Sequence, residues 1–258
     1  VPTEPHVEGL HVEVDGTGPP VVLAHGFTQT GRLWGPFGGA LADGHRVVRV
    51  DLPGHGGSST VEADLVAGGD LLAAAGAAES GGAPFDLVGY SLGARFALHA
   101  ALARPNLVRR LVVVGGTAGI DDAGARAVRR QRDDDLADQL ASSGDVDGFV
   151  RRWLAAPMFA GLVTPAPEER RRNTPGGLAS SLRLAGTGTQ EPLWDRLGEV
   201  SAPTLVVVGA GDLRFTAAGR RLVAGLPAAV LSLVPGAGHA AHLQQPALVT
   251  LMVRHFLD

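Results

Sequence analysis

The residues GYSLGAR at positions 89–95 set a serine between two glycines and place an arginine one helical turn beyond it. Ser91 follows the apolar run FDLVGY and precedes LGARFALHAALARP, whose alanine-rich composition predicts a helix. A G-x-S-x-G pattern at a strand-to-helix turn exposes the serine hydroxyl at the head of the helix, the geometry of a nucleophile elbow. The pattern alone says little in a chain with 37 glycines, so its setting carries the inference. Gly89 and Gly93 remove the β-carbons that would collide where strand meets helix. The turn also aims the Leu92 N–H into the site, where a second N–H, that of Phe27 after the run VVLAHG, completes a pair able to hold a developing oxyanion. The simpler alternative is a serine that caps a helix.

A serine hydroxyl becomes a useful nucleophile or base only when a histidine takes its proton and an acid orients that histidine. In this kind of fold the order along the chain is serine, acid, histidine, each past a strand end. Asp212 ends VVVGAGD and His239 follows LSLVPGAG, so both qualify. Asp51 also ends an apolar run, but it precedes the serine and lies in DLPGHGGS, which favours a turn or packing role. Among the other histidines, His99 falls inside the helix after Ser91, and His25 and His55 belong to glycine turns. His242 is the one close rival to His239.

Arg95 shares a helix face with Ser91. A cation in the first helical turn meets the positive end of the helix dipole, at a cost of about 0.3–1 kcal/mol. Its partner is either a carboxylate of the protein itself or an anion brought by a ligand, and the sequence leaves both open.

These residues need a scaffold that delivers strand ends to one edge. The opening HVEGLHVEVDGTG alternates around Gly9 and predicts an antiparallel hairpin. Six runs then read as strands buried on both faces: PPVVLAHG, HRVVRVDLPG, FDLVGYS, RRLVVVGG, PTLVVVGAGD and AVLSLVPGAGH. With helical spacing between most of them, the fold class is α/β, a mainly parallel central sheet flanked by helices. Positions 117–202 break the rhythm: AGARAVRRQRDDDLADQLASSG, VDGFVRRWLAAPMFA and GGLASSLRLAGTG read as helices separated by Gly and Pro. The expected organisation is a core of residues 1–118 and 191–258 with a helical cap, 119–190, inserted between sheet strands and lying over the open edge of the sheet.

Composition narrows the chemistry. The chain of 258 residues is 45% hydrophobic, enough for one large domain with a buried core. It has no cysteine, which removes disulfides, thiolate metal sites and cysteine nucleophiles together. All 22 basic residues are arginine against 26 acids, for a net charge of −4, a balance that argues against nucleic acid as a partner. Positions 120–190 hold ten arginines and ten acids, so an anion site there must come from geometry, not bulk charge. No apolar run is long enough for a membrane span and no basic-then-apolar leader opens the sequence, so the expectation is a soluble, cytoplasmic protein.

The motifs VLAHGF, VDLPGHGGS, LVGYSLGARFALHAAL, VGAGD and PGAGHAAHLQQP, spread over nearly the whole chain, resemble the α/β-hydrolase superfamily. Within it, GYSLGAR, RRQRDDDLADQL, FVRRWLAAPMF, RRRNTPGGLASSLRLAGTGTQEPLWDRL and GDLRF resemble the 2-succinyl-6-hydroxy-2,4-cyclohexadiene-1-carboxylate synthases of menaquinone biosynthesis. The third cap segment is the most specific, and one departure is Ala94, where many members carry a second glycine after the elbow. The resemblance implies a lyase that eliminates pyruvate from 2-succinyl-5-enolpyruvyl-6-hydroxy-3-cyclohexene-1-carboxylate, with Ser91 of the Ser91–Asp212–His239 triad acting as a base. It implies no metal or cofactor, a small polycarboxylate as the only partner, and no membrane, and it leaves the oligomeric state open. Carried over by motif, Arg95, Arg130 and Arg170 would bind the substrate carboxylates, with Arg129 and Arg171 as the substitutes if the register shifts by one. Tyr90 and Trp153 would line the pocket, and Phe27 and Leu92 would form the oxyanion hole. The alternative is a serine esterase or carbon–carbon hydrolase that works through an acyl-enzyme. A receptor that keeps the fold without chemistry is a third class, which nothing in the sequence favours.

Overall fold

The computed structural model describes residues 9–163 and 167–258. Seven strands form one sheet: β1 (Val12–Asp15), β2 (Pro20–Ala24), β3 (Arg46–Val50), β4 (Phe85–Tyr90), β5 (Val108–Val114), β6 (Thr204–Gly209) and β7 (Ala229–Val234), in the order β1-β3-β2-β4-β5-β6-β7. All neighbours are parallel except β1, which runs antiparallel to β3. The strand half of the expected opening hairpin is therefore β1, paired with β3. Its other half, His6–Glu8, lies outside the described residues.

Helices cover both faces, and this explains why the central runs are apolar throughout. Odd and even positions of each strand feed different cores. Phe85, Leu87, Leu111, Val113, Val206 and Val208 belong to one, and Val88, Tyr90, Val112, Val114, Leu205 and Val207 to the other. Three helices pack on the second face: α1 (Gly35–Leu41), the short α8 (Ala241–Gln244) and α9 (Pro246–Leu257). The first face carries α2 (Leu65–Glu79), α3 (Leu92–Ala103) and α7 (Leu213–Gly225). Strand β7 departs from the expectation of burial on both faces: Val230 is 55% and Leu233 38% exposed. The reason is its place at the edge, where only β6 pairs with it.

Between β5 and β6 lie α4 (Ala123–Ser143), α5 (Val146–Leu154) and α6 (Pro175–Ala185), with a 3₁₀ segment over Pro167–Arg172. Their boundaries follow local chemistry. Asp122 caps α4 by accepting from the Ala125 N–H, Gly144 ends it at φ +64°, Asp145 accepts from Gly148, and Thr174 accepts from Gly177. The three helices bury a small core of their own, built from Leu140, Phe149, Val150, Leu178 and Leu182, against which Phe27 and Trp153 pack. Through Phe27 this cap core touches the loop after β2, at the carboxyl edge of the sheet. Among the described residues no helix is long and apolar enough to cross a membrane.

Candidate active site

Ser91 stands between β4 and α3 with φ +52° and ψ −104°, a conformation that side chains rarely adopt. The turn is held on both sides: the Ser91 N–H donates to the Val114 carbonyl at 2.9 Å and the Gly93 N–H to the His25 carbonyl at 2.9 Å. A β-carbon on Gly89 would lie 2.5 Å from the Gly93 carbonyl oxygen, and one on Gly93 would strike the Ala24 carbonyl. Both glycines are therefore required by the close approach of strand to helix.

Asp212 follows β6 and His239 follows β7, and the fold brings both to the serine. The His239 Nδ1–H donates to Asp212 Oδ2 at 3.0 Å, and the Ser91 hydroxyl donates to His239 Nε2 at 3.0 Å. Asp212 also caps α7, its Oδ1 accepting from the Phe215 N–H at 3.2 Å. Burial alone would raise the Asp212 carboxyl, but the hydrogen bonds from His239 and Phe215 and the nearby Arg214 charge outweigh it, and the group is held below its ordinary value. The imidazole is fixed from the sides by the Phe215 ring at 4.3 Å and Tyr90 at 5.4 Å. His242 is not in this chain of bonds. It is buried between Trp34 and Tyr90, with ring distances of 4.8 and 4.4 Å.

The other histidines and Asp51 brace the loops. His25 Nε2 accepts from the Leu52 N–H at 3.0 Å while its Nδ1–H donates to the Gly26 carbonyl. His55 Nε2 accepts from the Thr28 N–H at 3.3 Å and its Nδ1–H donates to Pro53. Accepting roles require neutral rings. Burial supplies the reason, lowering His25 to about 4 and, with the neighbouring His25, lowering His55 to about 3. Asp51 takes the N–H groups of Gly31 and Gly57 at 2.7 and 2.8 Å, a loop-holding role.

A cavity of about 100 Å³ opens at the serine, lined by Phe27, Ser91, Leu92, Arg95, Arg129, Trp153, Arg214 and Phe215 among others. Both expected oxyanion donors, Phe27 and Leu92, are thus on its wall. No backbone acceptor among the described residues takes the Phe27 N–H, and Leu92 opens α3, where the N–H has no partner within its own helix. Arg95 is only 7% exposed, and one of its terminal nitrogens, Nη1, has no hydrogen-bond partner. Asp133, the carboxylate that favours its charge, is engaged instead by Arg129 Nε at 2.9 and 3.0 Å. Burial, together with the Arg129 charge, lowers Arg95 to about 9. Of the two possibilities open in the sequence, pairing with a protein carboxylate is not realised among the described residues.

The arginines of the cap resolve their register differently. Arg129, not Arg130, lines the cavity; Arg130 is exposed on the outer side of α4. Arg170 rather than Arg171 faces inward. It is 3% exposed and shares a small adjoining cavity with Tyr90, Ser91 and Trp153, whereas Arg171 pairs with Asp147 on the surface. Burial lowers Arg170 to about 10, an effect that Tyr90 partly offsets. Burial also raises the Tyr90 hydroxyl. Arg214 was not singled out from the sequence, although it lies in GDLRF two residues after Asp212; it lines this cavity and two neighbouring ones. Met158, another wall residue, carries no chemical signal in a sequence. The first turn of α3 accommodates Ala94, which is fully buried.

A search by family finds that residues 21–250 match the alpha/beta hydrolase family. The chain is 32% identical to the 2-succinyl-6-hydroxy-2,4-cyclohexadiene-1-carboxylate synthase of Klebsiella pneumoniae subsp. pneumoniae, over 93% of this chain and 94% of that protein. It superposes on the solved structure of MenH from S. aureus with a TM-score of 0.88 at 27% identity, covering 96% of this chain and 97% of that one. A thermophilic esterase from Thermogutta terrifontis, solved with malate bound, gives 0.82 at 26% identity, covering 96% and 92%.

Proposed function

This chain belongs to the α/β-hydrolase family, and within it we propose a lyase that eliminates pyruvate from 2-succinyl-5-enolpyruvyl-6-hydroxy-3-cyclohexene-1-carboxylate to give 2-succinyl-6-hydroxy-2,4-cyclohexadiene-1-carboxylate. The observation that carries the reading is Arg95. It is buried one helical turn from Ser91, in the same cavity, and its partner is left to a ligand. An arginine fork matches a carboxylate, and Arg129, Arg170 and Arg214 stand around the same serine. Relatives that carry the synthase name, such as that of K. pneumoniae, support the assignment.

The chemistry follows from the substrate's structure. The ring proton at C2 is acidified by the adjacent succinyl ketone. Ser91 Oγ removes it while the serine's own proton passes to His239 Nε2, and Asp212 stabilises the imidazolium. The Phe27 and Leu92 N–H groups receive the charge that develops on the ketone oxygen. The C2–H electrons form a C2–C3 double bond, the C3–C4 double bond shifts to C4–C5, and the C5–O bond breaks to release pyruvate as its enolate. The serine keeps the proton taken from C2, and His239 delivers the proton it received to the departing enolate, giving pyruvate and restoring the neutral imidazole, so no acyl-enzyme is required.

Incubating the protein with the enolpyruvyl substrate and following pyruvate tests this; no release at micromolar enzyme overturns it. The second reading, a serine esterase, draws on the likeness to the T. terrifontis esterase. It requires a burst with an activated ester and an acyl adduct on Ser91 by mass spectrometry.

A further inference from the structure

We infer that Asn173, a residue outside the triad, the oxyanion pair and the arginine set, is a positioning residue that aims the Phe27 N–H into the site. This rests on the reading of Phe27 as an oxyanion donor. Asn173 lies between the 3₁₀ segment Pro167–Arg172 and α6 and is 4% exposed. Its side-chain amide is bonded through both polar atoms. Nδ2 donates to the carbonyls of Thr28 and Arg170, both at 3.0 Å, and Oδ1 accepts from the Gly56 N–H at 3.0 Å. One side chain thus joins three segments: the loop after β2, the loop after β3, and the cap.

What these bonds hold is a strained turn. Gln29 N–H donates to the Gly26 carbonyl at 3.0 Å, closing a β-turn with Phe27 and Thr28 at its centre, and Gln29 Oε1 returns to the Gly26 N–H at 2.9 Å. Thr28 sits at φ +65°, in a turn position that favours glycine and disfavours a β-branched residue. Such a conformation persists only where its surroundings over-determine it. Here they do: His55 takes the Thr28 N–H, Asn173 binds its carbonyl, and Arg170 Nη1 binds its hydroxyl. Thr28 is therefore held at its N–H by His55 and at its carbonyl and hydroxyl by the cap, and the Gly26–Phe27 peptide that carries the Phe27 N–H is tied to it through the Gln29 N–H bond to the Gly26 carbonyl. Asn173 also holds the Arg170 carbonyl, so the group expected to bind a carboxylate and the group expected to bind an oxyanion share one anchor. Only a carboxamide of this length supplies two donors and one acceptor here: aspartate loses both donations, and glutamine is longer by a methylene.

The test uses Asn173→Ser, with Asn173→Asp as the second variant should the first fold poorly. Hydrogen exchange by mass spectrometry, without substrate, should show faster exchange over residues 26–29 than in the wild type. With substrate, kcat for pyruvate release should fall by about tenfold or more, since loss of one oxyanion donor costs about 100- to 1000-fold. The loss should persist in assays well below the melting temperature, where a purely structural defect is silent. Combined with Arg170→Gln, it should be less than multiplicative, because the two side chains clamp one turn. Unchanged exchange over 26–29, or a kcat within about twofold of wild type in a folded variant, overturns the inference. Failure of the wild type to release pyruvate overturns the proposed lyase activity instead, and the exchange result still decides the role of Asn173.

Discussion

His239 Nε2 and Ser91 Oγ lie 3.0 Å apart, and the serine reaches that distance from a backbone at φ +52°. Function and stability therefore oppose each other at Ser91. A non-glycine residue held in such a region costs about 1–3 kcal/mol, while the extra freedom of glycine in the unfolded chain returns about 0.5–1 kcal/mol of that. Ser91→Gly should raise the melting temperature by a few degrees and reduce pyruvate release by several orders of magnitude. Ser91→Ala should lose the activity without the gain in stability. Calorimetry beside the pyruvate assay checks both, and a glycine variant that melts below the wild type would show that the turn is not strained.

Arg95 presents the same opposition in electrostatic form. Its folded value of about 9 lies well below the ordinary arginine range because the buried site disfavours the cation. The unfolded chain therefore binds the proton more tightly. The cost to folding is fully present below pH 9 and is relieved only as pH rises above 9 toward the ordinary arginine range. At neutral pH it is on the order of several kcal/mol. Arg95→Met keeps the volume and removes the charge, so the ligand-free protein should melt higher while KM for the enolpyruvyl substrate rises about tenfold or more. Arg130→Ala, on the outer side of the cap, should change neither, which provides the control.

Four buried histidines set the acid limit of the fold. Burial is the largest cause for each, and it lowers His25 and His99 to about 4 and His55 and His242 to about 3, against 6.5 when unfolded. With folded values depressed, the unfolded chain binds protons first. Stability is flat with respect to these groups above pH 6.5 and falls as pH drops from 6.5 toward 3. At pH 5 each has surrendered about 2 kcal/mol. Denaturant midpoints measured from pH 8 to 4 should show a plateau and then a steep decline. His242→Phe, which keeps the aromatic packing on Trp34 and Tyr90, should make that decline shallower by the share of one proton. An unaltered slope would mean that His242 does not take up a proton on unfolding.

The strands and the hydrogen-bonded chain of Ser91, His239 and Asp212 were legible because they are written in local terms. A strand with helices on both faces must be apolar at every position, and Ser91, Asp212 and His239 each follow such a run. β7 read the same way but is half exposed, because nothing in a strand's own residues says that it will lie at an edge. The cap was legible as helices but not in rotation. Helix α4 is polar nearly all round, so RRQRDDD does not say whether Arg129 or Arg130 turns inward, and the answer comes from Asp133, which is buried and draws Arg129 with it. Arg214 and Met158 join the cavity only through packing between distant segments. Asn173 looked like one polar residue in RRRNTP, and its meaning depends on a strained threonine 145 positions earlier.

Beyond the cavity at Ser91 lies a second, of about 300 Å³, that shares Arg129, Trp153, Met158 and Arg214 with it and adds Arg132 and Arg152. Whole-chain charge is −4, so the proposed substrate, with three carboxylates, would be repelled by the protein at long range and drawn in by this local field. Among the described residues Asp133 is the only acid on the wall, and Arg129 already engages it. Arg132, Arg152 and Arg214 have no ion-pair partner among the described residues, which leaves their charge to an incoming anion. Screening reaches about 8 Å at physiological ionic strength, so kcat/KM should fall several-fold between about 20 and about 300 mM salt while kcat stays level. Replacing Arg132 and Arg152 together by glutamine should flatten that dependence and lower kcat/KM at low salt, with kcat unchanged, since neither residue lines the cavity at Ser91. A salt slope identical to the wild type's would show that the substrate does not approach through the second cavity.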